Sequence, residues 1–425
     1  MKLPSLRVLI GVVVLFAVTL LVIIGGRDIL VRGRVITRAW DVVKIWRARM
    51  VGAAGSVAPF PQSSVIQSIT WDFAGGLPVP GGAALAPGSD LWSSAWLANG
   101  TTFFAWGDGG GFAPGDNFTC RARFGIDRVT GTPPGLSFTR VGGCRADGTG
   151  CENAGCPGGV CPHNPSCDAP ATSSSNVNAY GAPVAMLGIG NTIYANLDSG
   201  TAQTLATSTD GGSTFALFSW NFPKTAAGSF VPETFVQYGA GYAGAQDIVP
   251  GTNSPYVYAY GGKVGDPTKI FLSRVPASQI ATQAAWQWFT GTNQSPTWGT
   301  WGNAQPVLID TTMNDPLAGA NAISSFYSAV WFPQLGRYVV AARKVLISEL
   351  RVYDSPKPWG PWTTAYSSDN WGNFPNITSQ QEAVSLNIHP KYLSADSKTF
   401  WMTYSSIGSQ VPGDNYSLVK GTIRP

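Results

Sequence analysis

The run Phe103-Phe104-Ala105-Trp106 returns in altered form as Ile193-Tyr194-Ala195-Asn196, Tyr256-Val257-Tyr258-Ala259-Tyr260, Tyr338-Val339-Val340-Ala341-Ala342 and Phe400-Trp401-Met402-Thr403-Tyr404. Each is a short aromatic or β-branched stretch between clusters of Gly, Pro, Asn and Ser, the composition of a strand bounded by turns. Helical periodicity nearly vanishes beyond residue 61, so the chain reads as all-β. Repetition of one type of run argues for repeated units, and the spacing suits blades of about four strands in a radial propeller. A two-sheet sandwich is the competitor. The propeller is preferred because a sandwich of this length requires two domains, and no second linker is visible. The expectation is a five-bladed β-propeller over residues 62–425. The widest gap, between the first two units, holds all six cysteines and reads as a Cys-rich insertion at about 120–168.

Working outward, Ser208-Thr209-Asp210-Gly211-Gly212-Ser213-Thr214-Phe215 has the form Ser-x-Asp-x-Gly-x-Thr-aromatic, the Asp box of sialidase-like propellers. Its acid and hydroxyls tie a hairpin turn to its own backbone, which makes Asp210 structural rather than catalytic.

The formal charge of +4 is unevenly spread. Residues 1–50 hold nine Lys/Arg against two Asp, leaving 18 against 21 for the remainder. A faintly acidic body offers no basic stripe for a phosphate backbone, so no nucleic-acid partner is expected. Residues 8–26 are uncharged and rich in Val, Leu and Ile, long enough to cross a bilayer as a helix. Residues 1–26 therefore read as an N-terminal transmembrane anchor, with a cleaved secretory signal as the alternative. Residues 27–61 form a basic juxtamembrane segment and linker, either a helix lying on anionic headgroups or a solvated stalk. The arginines after the span favour a cytoplasmic body. The cysteines favour an oxidising compartment, because they lack a Cys-x-x-Cys pair and suit disulfides better than zinc. On that balance the body is placed outside the cytoplasm, extracellular or periplasmic.

Two acids stand out for chemistry. Ser89-Asp90-Leu91-Trp92 precedes the first run, and Trp106-Gly107-Asp108-Gly109 ends it. A strand entered by a turn returns Asp90 and Asp108 to one end, flanked by flat apolar rings of the kind sugars stack on. Glycoside hydrolysis requires one carboxyl held neutral as proton donor and a second that activates water or attacks the anomeric carbon. The competing reading is that both acids merely close turns. Trp92, Trp106 and Trp371 are candidate stacking platforms, although most of the tryptophans of a propeller pack between blades. Glu233 and Glu382 are reserves that read as ordinary loop acids, and Arg274 and Arg337 read as structural. His389 precedes Pro390 in an expected loop, and with 2 histidines in the chain a Ser-His or Cys-His nucleophile system is not expected. Nothing in this chemistry calls for a cofactor or metal.

From about Ser68 to the C-terminus, the ordered set Ser89-Asp90-Leu91-Trp92, Trp106-Gly107-Asp108-Gly109, Tyr242-Ala243-Gly244-Ala245-Gln246-Asp247, Phe271-Leu272-Ser273-Arg274-Val275-Pro276, Leu335-Gly336-Arg337-Tyr338, Pro358-Trp359-Gly360-Pro361-Trp362 and Lys398-Thr399-Phe400-Trp401 resembles the bacterial family known as domain of unknown function 4185. The resemblance implies a five-bladed propeller. Some members of that family are endo-D-arabinanases, which implies a polysaccharide substrate here and a similar hydrolytic activity. Asp247 is then the third candidate catalytic acid. Gln246 is a candidate substrate contact, standing where the family pattern leads one to expect a basic residue. The cysteine-bearing stretch and the basic segment depart from that pattern. A glycan-binding or adhesion propeller, whose acids only accept hydrogen bonds from sugar hydroxyls, is the alternative of a different class.

Overall fold

Each of the five aromatic runs is the second strand of a blade. The structure, a computed structural model, describes residues 58–77, 85–86, 89–107, 111–112, 124–142, 181–224, 227–313, 327–343, 349–368, 371, 382–407 and 415–425, all within the unit Ser56–Pro425. From the axis outward, blade 1 consists of Ser94–Trp96, Thr102–Trp106, Gly125–Thr132 and Gly135–Gly142. Blade 2 is Ala182–Ile189, Thr192–Asp198, Ala202–Ser208 and Ala216–Pro223. Blade 3 begins Phe230–Phe235, Tyr256–Lys263, Asp266–Pro276, continues through the short Gln287–Phe289 and Trp298–Gly299, and adds Pro306–Ile309 beside its third strand. Blade 4 is Tyr327–Phe332, Arg337–Arg343, Leu350–Ser355 and Thr363–Ser368. Blade 5 takes Glu382–Ile388, Thr399–Ile407 and Ser417–Arg424 from the C-terminus, and its outer strand, Ser68–Leu77, from the other end of the chain.

A second strand has sheet neighbours on both edges and blades against both faces, so its residues are mostly apolar rather than alternating. Every residue of Thr102–Trp106 is buried, whereas the outer strand Ala216–Pro223 is partly exposed along its length. The ring closes without a covalent link. Ser68 pairs with Arg424 and Trp71 with Gly421, while Gly421 faces Phe400, whose ring would lie 2.3 Å from any Cβ added there.

Innermost strands pack blade against blade in order, and the seam between blades 5 and 1 is bridged by Asn387 Nδ2 donating to Leu91 O and by His389 Nδ1 at 3.0 Å from Ser94 Oγ. A parallel bridge between Gln237 and Val330 fixes neighbouring inner strands in one direction. The propeller therefore has an entry end, where inner strands begin, and an exit end, where they turn back.

One sequence expectation changes, and others fall where the structure describes nothing. The stretch at about 120–168 is not a pure insertion: it contains the third and fourth strands of blade 1, Gly125–Thr132 and Gly135–Gly142. The expected transmembrane helix, the basic segment to residue 57 and all six cysteines lie outside the described residues, among which no helix is long and apolar enough to cross a membrane.

Candidate active site at the strand-entry end

The chain enters the inner strand of blade 1 through an elbow. Asp90 N donates to Gly107 O and Gly107 N donates to Asp90 O, both at 3.0 Å, so Asp90 is clamped against the residue that precedes Asp108. Leu91 and Trp92 follow with φ of 74° and 46°, left-handed backbone that costs non-glycine residues roughly 1–3 kcal/mol each. Surrounding contacts hold this strain in place. The Trp92 indole donates to Ser405 Oγ at 2.9 Å and Asn415 O at 3.1 Å, and its ring meets Tyr416 edge-on at 5.0 Å. Asp90 itself is half-buried, with Oδ1 close enough to Gly107 that a Cβ there would sit 3.1 Å away. Asp108 lies outside the described residues.

The axis is nearly filled. Ser93, Ser94, Met186, Thr234, Gln237, Ser328 and Asn387 are among the residues from all five blades that enclose a cavity of about 20 Å³, enough for one water. No carboxylate lines it among the described residues. Beside this cavity His389 is fully buried, stacked on Phe104 at 4.2 Å, with Nε2 at 3.0 Å from Thr403 Oγ1. Burial pushes the imidazole down to about 3, too weakly basic to activate Ser94 as a nucleophile.

Glu233 is the functional candidate that sequence reasoning undervalued. Instead of a loop, it occupies the inner strand of blade 3 at a register shift: Pro232 pairs with Gly261 and Thr234 with Tyr260, leaving Glu233 as the bulged residue. Bulges re-aim side chains and concentrate near active sites. Burial first, then repulsion from Asp198, push its carboxyl up to about 8, against the opposing pull of Lys224 and a hydrogen bond with Gln203. All three of those neighbours belong to the entry end of blade 2, so the carboxyl faces the seam between blades 2 and 3. Asn196 Nδ2 ties the same seam, donating to Gln203 Oε1 and Pro232 O at 2.8 Å each. Pro232 inside an apolar run was the available signal, since proline in a strand marks an edge or a bulge.

Asp247 does not join these acids. It lies on the segment between the first and second strands of blade 3, at the exit end, whereas Asp90 stands at the entry end. There Tyr258 Oη donates to Asp247 Oδ2 at 2.9 Å, and burial, reinforced by that carboxylate, pushes the phenol far up and keeps it a donor. Arg274 is clasped between the rings of Tyr256 and Trp298, 4.0 Å from each. Gln246 is exposed and turns back on its own loop, donating to Gly244 O at 2.6 Å.

The three tryptophans expected to stack on sugar are enclosed. Trp92 and Trp106 are 0% exposed and Trp371 is 3% exposed. Trp106 donates to Asp127 Oδ2 at 2.7 Å, and Trp371 meets Trp71 and Tyr404 edge-on in the core between blades 4 and 5. Their role is packing. Sequence cannot separate the two uses, because a strand displays the same aromatic whether solvent or another blade covers it. Glu382 begins the inner strand of blade 5. Arg337 lies 3.4 Å from the buried Asp354, the structural pairing expected of it.

Residues 188–407, more than half of the chain, match the family model described as Domain of unknown function (DUF4185). The match includes Glu233 and Asp247 and begins after Asp90. None of the curated proteins matches the chain. Among solved structures, a GH43_1 enzyme from Xanthomonas citri is 10% identical with a TM-score of 0.42, over 79% of this chain and 88% of that one. An endo-arabinase from Bacteroides thetaiotaomicron is 7% identical with a TM-score of 0.40, over 81% and 98%. A neuraminidase-like protein of a flat-faced bat influenza virus is 10% identical with a TM-score of 0.40, over 87% and 97%. Likeness at that level carries no argument about chemistry.

Proposed function

The chain belongs to the family described as Domain of unknown function (DUF4185), and from that premise we propose that it is a glycoside hydrolase acting on a cell-wall or extracellular polysaccharide. The observation that carries the reading is the elbow at the entry end, where two successive left-handed residues and a two-way backbone bridge fix Asp90 against the residue preceding Asp108. Strained backbone held by its surroundings clusters at functional sites, which supports this reading. Asp90 and Asp108 supply the carboxylate pair. The finer assignment is an endo-D-arabinanase, membrane-anchored through residues 1–26 and facing out of the cytoplasm; it rests on the family resemblance and on the apolar run.

Incubation of the purified chain with arabinan, arabinogalactan and other wall polysaccharides tests this reading. Release of oligosaccharides, lost in folded Asp90→Asn and Asp108→Asn, supports it. Retention on one polymer with no release from any of them replaces it with the glycan-binding alternative.

A further inference from the structure

The flank between blades 2 and 3 holds a cavity of about 350 Å³, within the range of about 300–1,000 Å³ usual for ligand pockets. Strand alternation on the outer edge of blade 2 places Trp220 and Phe222 on one face. Opposite them stand Trp286, Trp288 and Trp301, contributed by the extra strands and turns peculiar to blade 3. The rings are pinned rather than loosely packed. Trp220 Nε1 donates to Ala281 O at 2.8 Å and Trp301 Nε1 to Gly228 O at 2.9 Å, and Trp220 stands edge-on to Phe222 at 77° and to Trp286 at 72°. Trp220, Trp288 and Trp301 remain partly exposed, so flat apolar faces reach the opening.

Two further features specify the occupant. On the rim, Asn221 and Gln283 are exposed and their side chains make no hydrogen bond to the described protein. No charged side chain is among the described lining residues; Lys224, next along the chain from Pro223, is committed to Asp198. A purely apolar occupant would leave the rim amides unused, and an anionic one would find no counter-charge.

We infer that this groove is a second carbohydrate site, on the side of the propeller and separate from the entry-end acids, that takes a segment of uncharged glycan. Sugar C–H faces stack on Trp220 and Trp301, while hydroxyls pair with the amides of Asn221 and Gln283. The inference shares a ligand class with the hydrolase reading but does not depend on hydrolysis.

The test is retention of the full chain in gels containing arabinogalactan, xylan or mannan, with polygalacturonate as the charged comparison. The expected result is retention by at least one neutral polymer and none by polygalacturonate, with affinity about tenfold lower in Trp220→Ala and severalfold lower in Gln283→Ala. Gln283→Ala serves if Trp220→Ala fails to fold, because that amide holds nothing in the protein. Failure of every neutral polymer to bind, wild-type retention in Gln283→Ala, or equal retention by polygalacturonate overturns the inference. Hydrolysis scored in parallel separates the two readings: polymer cleavage with unchanged retention in these variants removes only this site, and Trp220-dependent retention without cleavage removes only the hydrolase.

Discussion

His389 shows how a single residue couples blade assembly to pH. It is buried neutral at the seam between blades 5 and 1, with each ring nitrogen on a hydroxyl, and its folded-state value falls from 6.5 to about 3. A depressed value means that its contribution is complete above about pH 6.5 and is lost as pH falls toward 3, because only the unfolded chain takes up the proton. The denaturation midpoint is expected to drop across that window, and His389→Gln to flatten the drop. Glu233 has the opposite sign. Its value is raised from 4.5 to about 8, so its contribution is complete below about pH 4.5 and is lost as pH rises through 8. Glu233→Gln is expected to match wild type in stability at pH 5 and exceed it above pH 8, measured by urea titration at both. Equal stability at high pH would mean that the carboxylate is accommodated in the seam. Neither shift was legible in the sequence, since His389 precedes a proline and Glu233 follows one; burial, which only the assembled blades supply, decides both.

At the scale of elements, second strands were legible because a strand covered on every side leaves few positions for polar residues. Inner strands were not. Ser94–Trp96 and Tyr327–Phe332 mix Ser and Ala with aromatics because they face a narrow axis, and such runs carry no periodic signal. The same limit explains the site. Asp90 and Asp108 read in the sequence as a pair closing one strand, and the bridge to Gly107 sets Asp90 at that end, but no spacing rule reveals that Asp247 turns at the other end. The closing strand supplies an element-scale test. Gly421 has Phe400 across from it with no room for a Cβ, so Gly421→Ala is expected to destabilise by about 1–3 kcal/mol. A neutral effect on the midpoint of thermal unfolding would show that Phe400 moves aside freely.

For the whole molecule, closure by strands from opposite ends of the chain makes the propeller one cooperative unit: Ser68–Leu77 completes the sheet begun by Glu382–Ile388. Removal of residues 1–77 is expected to expose the edge of Ser417–Arg424 and replace a single unfolding transition with a broad one, read by calorimetry. A single sharp transition at the wild-type temperature would contradict closure by the N-terminal strand. Fixed in this way, the ring holds the Asp90 elbow and the Glu233 bulge at one end while the axis itself is filled, so the proposed chemistry belongs to the mouth of the propeller rather than its channel. The most direct test is the initial rate of reducing-end release from the best polymer substrate, comparing wild type with Asp90→Asn whose circular dichroism and unfolding midpoint are unchanged. The expected result is a fall of about 10²–10⁴-fold in kcat with retention on the polymer preserved; an unchanged kcat in the folded variant would contradict the assignment.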